Sequence, residues 1–118
     1  MRTLYLAGMQ LPGAEFAYVP ENKIRDYLLS PSHPEGQAKA RFFFGYGFSH
    51  TDENLFAAAL RHHVLTHSAS LSKRNPYGIV YSVDGPLTSP DGRNPMIRSV
   101  WIVEEGSTAP RLITAYPI

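Results

Sequence analysis

The sequence has 118 residues, which is enough for a single domain with one hydrophobic core. Eleven Lys and Arg residues against ten Asp and Glu residues give a net charge of +1, without the basic excess of most nucleic-acid-binding proteins. The lack of cysteine excludes disulfides and thiolate metal sites. Because no apolar run reaches the ~20 residues of a membrane span and no signal-peptide pattern opens the sequence, we expect a cytoplasmic protein without membrane contact.

The first half of the chain is predicted to contain an extended lead-in, residues 1–20, and then a helical part, residues 21–67. Within the lead-in, residues 2–7 alternate loosely and favour a short strand, and residues 16–19 favour a second extended piece. Residues 22–29 predict a short helix, because their apolar side chains recur along one stripe.

Two prolines bound the loop that follows this helix. Pro31 and Pro34 fix their own φ and disfavour helical geometry in the residue before them, so the loop is rigid. The imidazole of His33 lies at this corner. The next helix is predicted from about Glu35 to Phe44, and it places Lys39 one turn after its start. An imidazole and an ammonium group are therefore expected close together, either as a capped turn with a surface lysine or as part of a site.

A third helix is predicted from Thr51 to about His67, with Ser49 or Thr51 as its N-cap. His63 and His67 are one turn apart on this helix, which is a spacing found in zinc sites. No glutamate follows in the His-Glu-x-x-His pattern, and no third ligand is evident, so we expect structural histidines and no metal.

The second half of the chain changes to extended periodicity. Residues 68–76 read as a polar loop, and strands are predicted at 77–83, 96–104 and 111–116 within a sheet that spans 77–117. Short connections between these strands imply antiparallel pairing. The fold prediction is therefore α+β, with N-terminal helices packed on a C-terminal antiparallel β-meander of three or more strands.

Two arginines of the sheet region each have two possible roles, one structural and one in substrate binding. Arg98 lies mid-strand among apolar residues, so it either pairs with Asp84 or Glu104 or binds an anion at the edge of a cleft. Arg93 follows an Asp-Gly turn, where it is either a solvated hairpin residue or a contact to substrate. In the last strand, simple alternation places residues 112, 114 and 116 on one face.

One stretch carries a family resemblance. Tyr-Leu-Leu from Tyr27, followed by His-Pro-x-Gly-x-x-Lys-Ala-x-Phe-Phe from His33, resembles a family of small bacterial domains of unknown function, associated with toxin–antitoxin loci and with toxin tips of polymorphic secreted proteins. The ending Thr114-Ala115-Tyr116-Pro117 is similar to the final strand of EndoU-type ribonucleases, in which it supports base recognition. Together these patterns resemble the barnase, EndoU, colicin and RelE-type ribonuclease group. EndoU enzymes use two histidines and a lysine, and no second catalytic histidine is assigned here.

The resemblance implies a small ribonuclease toxin that needs no metal and no cofactor and that cleaves RNA by attack of the 2′-hydroxyl. Its partners would be RNA and a cognate antitoxin or immunity protein. Histidine suits proton transfer near neutral pH, and cations or hydroxyl donors stabilise the phosphorane. The candidate catalytic residues are His33, Lys39 and Tyr116, and the candidate substrate-binding residues are Arg98, Thr114 and Arg93.

The alternative is a non-catalytic protein-binding module, such as an immunity, antitoxin or adaptor protein. The near-neutral charge favours this alternative, whereas the histidine, the lysine and the closing strand favour the enzyme. The two differ in geometry, because the enzyme requires His33, Lys39 and either Thr114 or Tyr116 within one concave site.

Overall fold

The computed structural model describes residues 9–118, so the strand predicted at residues 2–7 lies outside the described residues. Three helices precede a four-stranded antiparallel sheet with the strand order β1-β2-β3-β4. This confirms the predicted α+β fold with N-terminal helices and a C-terminal meander. None of the helices in the described part of the chain has both the length and the apolarity that a bilayer crossing requires.

The helices are short, and they follow a single 3-10 turn at Ala14–Phe16. Helix α1 begins as Glu21–Lys23 and continues as a π-helical turn, Ile24–Leu28. Helix α2 is Gln37–Phe44 and helix α3 is Glu53–Thr66. The segment predicted to be extended at residues 16–19 therefore contains the end of a helical turn, and Tyr18 forms an isolated bridge with Arg111.

The N-cap of α3 differs from the prediction. Asp52 holds this position, and its carboxylate accepts a hydrogen bond from the backbone N–H of Leu55 at 3.2 Å. Ser49 and Thr51 were the predicted caps, but their hydroxyls bond each other at 2.8 Å in the preceding turn. A carboxylate is favoured there, because it also interacts with the positive end of the helix dipole.

The strands are β1, Ala69–Asn75; β2, Gly78–Pro86; β3, Met96–Glu104; and β4, Arg111–Pro117. The sheet therefore begins at residue 69, and the prediction of a loop at residues 68–76 was wrong. Strand β1 pairs along β2 over most of its length, and only its first residue is buried. A strand with both faces in solvent needs no apolar alternation, so its polar sequence resembles that of a loop.

A β-bulge in β4 decides which of its side chains face the helices. Leu112 and Thr114 pair with consecutive residues of β3, so the extra residue, Ile113, has no partner. As a result Leu112 and Ala115 are both fully buried in the core, whereas Thr114 and Tyr116 lie outside the core and are partly exposed. The simple alternation of residues 112, 114 and 116 was wrong for this reason.

The core lies between the helices and one face of the sheet. Its largest fully buried side chains include Trp101, Phe43, Phe56, Leu60, Ile97 and Leu112. Helices α1 and α2 both contact β4, at the edge of the sheet. This packing leaves a cleft between these helices and the last strand.

Candidate functional site

The cleft has a volume of about 480 Å³ and is bounded by α1, the loop before α2, and β4. The residues that line it are Asn22, Lys23, Asp26, Tyr27, His33, Glu35, Ile113 and Thr114. It brings the predicted catalytic residue His33 into the same concave site as the predicted substrate-binding residue Thr114. The two residues are 81 positions apart in the sequence (114 − 33), so only the fold could bring them together.

His33 is held by the turn that opens α2. Its Nδ1 atom accepts hydrogen bonds from the backbone N–H of Glu35 at 3.0 Å and of Gly36 at 2.9 Å. Its own carbonyl accepts from the N–H of Gln37 at 2.9 Å. Among residues 9–118, no hydrogen-bond partner is found for its Nε2 atom. The ring is therefore fixed on one side by the backbone and open on the other.

Gly36 is required where this loop crosses the end of α1. A Cβ atom at this position would lie 2.1 Å from the carbonyl oxygen of Tyr27, which is far inside van der Waals contact. The π-helical turn ends at the same place, where the N–H of Leu29 bonds the carbonyl of Ile24 at 2.9 Å. The glycine of the His-Pro-x-Gly pattern thus lets the histidine loop pack directly on α1.

Tyr27 lines the cleft and contacts both the last strand and the histidine loop. Its hydroxyl is 3.2 Å from Oγ1 of Thr114, and its ring meets the ring of His33 edge-on, with centroids 5.0 Å apart. The ammonium groups of Lys23 and Lys39 lie 5.3 Å and 5.4 Å from the centre of the same ring. These are cation–π distances, so the tyrosine holds both lysines near the cleft.

Tyr27 belongs to the helix predicted at residues 22–29 and to the Tyr-Leu-Leu motif, and no functional role was predicted for it. A signal was available, because a phenol on a buried stripe usually needs a hydrogen-bond partner for its hydroxyl. Lys39 does not line the cleft wall; besides contacting the tyrosine ring, it donates a long bond to the carbonyl of Glu35 at 3.5 Å. It therefore stands at the rim, next to the histidine loop.

Tyr116 and Arg98 lie together on the open face of the sheet, outside the lining of the cleft. The guanidinium of Arg98 donates two hydrogen bonds to the carboxylate of Asp84, at 2.6 Å and 2.8 Å. These bonds, and then the hydroxyl of Tyr116, raise the pKa of Arg98, and the Arg98 bond lowers the pKa of Asp84. Of the two alternatives for Arg98, the structure therefore contains the cross-strand pair with Asp84.

Arg93 lies in the loop between β2 and β3, also outside the cleft lining. It pairs with Asp91 at 2.6 Å, stacks over the ring of Tyr46 at 4.4 Å, and donates to the carbonyl of Gly45. The backbone N–H of Arg93 is the main cause of a lowered pKa at Asp91. These contacts hold the loop against the end of α2.

His63 has a structural position in the core. Its Nε2 faces the carbonyl of Gly85 at 3.0 Å and therefore donates, while its Nδ1 accepts from the hydroxyl of Ser99 at 2.9 Å. The indole N–H of Trp101 donates to the same hydroxyl at 2.8 Å. Burial lowers the pKa of His63 to about 4. His67 follows the end of α3 in extended geometry, so it is not on the helix as predicted, and it donates its Nδ1 proton to the carbonyl of His63 at 2.9 Å.

Comparison with known proteins gives a fold and a family. The chain is similar to one in a solved structure described as a contact-dependent growth inhibition toxin–immunity protein complex from Klebsiella pneumoniae 342. The TM-score is 0.61 with 18% identity, over 91% of this chain and 97% of the other, and this likeness establishes a shared fold. No curated protein matches the sequence significantly. A family described as a domain of unknown function (DUF6883) matches residues 10–118, and the chain therefore belongs to that family.

Proposed function

We propose that this protein is a small metal-independent ribonuclease and the toxic member of a toxin–antitoxin or toxin–immunity pair. The observation that carries the proposal is that Tyr27 contacts His33 and Thr114 inside the cleft and Lys39 at its rim. An imidazole, an ammonium group and hydroxyls in one concave site are the groups that phosphodiester cleavage needs. The fold shared with a chain of a toxin–immunity complex supports a cognate antitoxin or immunity protein as partner.

In the proposed reaction a carboxylate of the cleft lining, from Asp26 or Glu35, removes the proton of a 2′-hydroxyl, and the oxygen attacks the adjacent phosphorus. An acid then protonates the departing 5′-oxygen, which leaves a 2′,3′-cyclic phosphate and a 5′-hydroxyl. The ammonium groups beside Tyr27 stabilise the negative charge of the phosphorane without a metal ion. Thr114 contacts the nucleotide in the cleft, and its hydroxyl suits hydrogen bonding to a base.

Tyr116 and Arg98 belong to the proposal as contacts further along the RNA. Thr114 and Tyr116 lie on the same face of β4, and Arg98 is opposite Tyr116 on β3. A strand of RNA that leaves the cleft along β4 would meet the phenol first and the guanidinium next. Tyr116 is then a candidate acid if the leaving nucleotide lies there. Arg93 is already engaged by Asp91, the ring of Tyr46 and the carbonyl of Gly45, so the proposal assigns it no contact with RNA.

The decisive experiment is cleavage of labelled RNA by the purified protein in EDTA, beside His33→Ala and Lys39→Ala. Each substitution is expected to reduce the rate by about 100-fold, the usual loss for one acid–base or electrostatic group. Matched controls are His62→Ala and Lys73→Ala, which remove the same groups from exposed positions on α3 and β1. Cleavage that survives both cleft substitutions would reject the assignment, and inhibition by EDTA would reject the metal-free mechanism.

A protein-binding module remains the second candidate function, because two aromatic side chains are strongly exposed. Tyr77 is 75% exposed and Phe16 is 61% exposed, whereas an aromatic ring of this size is usually covered in part. An antitoxin, immunity or adaptor protein would use such rings to bind its partner. This candidate predicts no RNA cleavage by the wild-type protein, with or without divalent metal, and weaker partner binding after Tyr77→Ala.

A further inference from the structure

The role of His33 is limited by what its Nδ1 atom already does. Two backbone N–H groups, from Glu35 and Gly36, point at this nitrogen from 3.0 Å and 2.9 Å. A nitrogen that accepts hydrogen bonds carries no proton, so the single proton of the neutral ring must be on Nε2. Tyr27 packs edge-on against the ring, which limits its rotation.

This tautomer has a direct chemical consequence. The basic lone pair of the neutral ring is on Nδ1, where it accepts the two backbone hydrogen bonds. The Nε2 atom, on the side of the ring away from the turn, carries the proton and is a donor. A general base needs a free lone pair directed at its substrate. To present one, the proton would have to move to Nδ1, where it would face two N–H donors and remove both hydrogen bonds.

We infer that His33 acts in the cleft as a neutral hydrogen-bond donor, through its Nε2–H group, to an anionic phosphate oxygen, and that it does not exchange a proton with the substrate. Lys23 and Lys39, which flank Tyr27, supply positive charge near the same oxygen. A neutral imidazole held as an electrophile near a helix N-terminus is an established catalytic arrangement. The identity of the phosphate as RNA rests on the proposed function, whereas the tautomer and the anion contact do not.

The tautomer and the anion contact can be tested without any activity. Two-bond proton–nitrogen NMR spectra of the histidine rings are expected to give a protonated Nε2 and an unprotonated Nδ1 for His33 at neutral pH. Addition of inorganic phosphate is expected to shift the Nε2 resonance of His33 and to leave that of the exposed His62 unchanged. A proton on Nδ1, or no shift with phosphate, would overturn the inference.

Two variants separate the functions of the two ring nitrogens. Asparagine in His33→Asn can accept the backbone N–H groups as Nδ1 does, because short amide side chains form such turns, but it lacks a donor at the Nε2 position. Glutamine in His33→Gln places an amide N–H near the Nε2 position and loses the cap. We expect the asparagine variant to keep its thermal midpoint and the glutamine variant to have a lower one.

The activities of the same variants are expected in the opposite order. In the RNA assay, His33→Asn should lose about 100-fold or more, the cost of one donor to a developing oxyanion, while His33→Gln should stay within about tenfold of the wild type. Neither amide titrates, so equal inactivity of both variants in a folded state would show a proton-transfer role and overturn the inference. If the wild type cleaves no RNA but binds phosphate at Nε2–H, the ribonuclease proposal fails and the anion-binding role stands.

Discussion

The core around His63 and the cleft around His33 use the same side chain in two different ways. In the core both ring nitrogens bond to protein groups, and the ring has no exposed surface. In the cleft one nitrogen bonds to the backbone, and among residues 9–118 the other has no hydrogen-bond partner. The comparison shows that burial alone does not mark a functional histidine. The useful distinction is whether the protein satisfies every polar atom of the ring or leaves one for a ligand.

The core histidine is part of a continuous hydrogen-bonded chain. The indole of Trp101 donates to the Ser99 hydroxyl, which donates to His63, which donates to the carbonyl of Gly85. Every buried donor and acceptor of this chain has a partner, so the polar network stabilises one packing of α3 on the sheet. Its loss should therefore lower the stability of the fold and leave the contacts of the cleft residues unchanged.

The largest effect that tests this contrast is expected from Trp101→Ala. Trp101 has no exposed surface, so the substitution leaves a cavity, removes one hydrogen bond, and should lower the unfolding free energy by about 3–5 kcal/mol. Urea denaturation followed by circular dichroism measures the loss. Tyr77→Ala is the matched control, because its ring is 75% exposed, and it should change stability by less than about 0.5 kcal/mol. A small effect of Trp101→Ala would mean that the core network is not the folding unit described here.

The second effect in size is the acid sensitivity that His63 imparts. Its pKa is about 4 in the folded protein and 6.5 in the unfolded chain, so between these values the unfolded state binds more protons. Stability from this group is complete above pH 6.5 and is lost as the pH falls towards 4. A pKa shift of this size lowers the unfolding free energy by about 3 kcal/mol between pH 7 and pH 4, and urea denaturation at the two pH values measures the difference.

Two variants assign that acid sensitivity to a residue. His62→Gln removes an exposed histidine one position before His63 and should keep the full pH dependence. His63→Leu removes the titrating group, so the curve between pH 7 and pH 4 should flatten, although the loss of the two hydrogen bonds to Ser99 and Gly85 lowers stability at every pH. An unchanged slope in His63→Leu would place the acid sensitivity elsewhere in the chain.

The helices and strands were predictable where one of their faces is buried, because burial makes apolar residues recur at regular spacing in the sequence. The helix α3 and the strands β2 to β4 each place one face on the core, so their apolar spacing predicted them. Strand β1 has no buried face beyond Ala69, and its pairing depends on backbone bonds that no side-chain pattern reports. The bulge at Ile113 was not predicted, for a related reason. An extra residue in a strand changes which face of the sheet the following side chains lie on, but it leaves no mark on the composition of the strand.

The site was predictable only in part. The prolines and the glycine around His33 predict a rigid loop, and the histidine does lie in the turn before α2. The contact between Tyr27 and Thr114 joins residues 87 positions apart, and neither residue type alone signals such a pair. Arg98 was ambiguous because an arginine in a strand binds either a carboxylate or an anion, and only the register of β2 against β3 placed Asp84 beside it.

The smallest effect concerns this Arg98–Asp84 pair. Its charged groups bond to each other, as the polar groups of the core network do, but the pair is exposed to solvent. Its side chains are 39% and 44% exposed, so screening by water should keep the coupling free energy far below the core effects, despite bidentate geometry. A double-mutant cycle with Arg98→Gln and Asp84→Asn, followed by urea denaturation, measures it. The Arg111–Glu104 pair, joined at 3.2 Å on the same sheet, is the matched comparison. If the coupling were as large as the core effects, having a hydrogen-bond partner for every polar atom would be enough to make a contact strongly stabilising in this protein. Burial of that contact would then not be required.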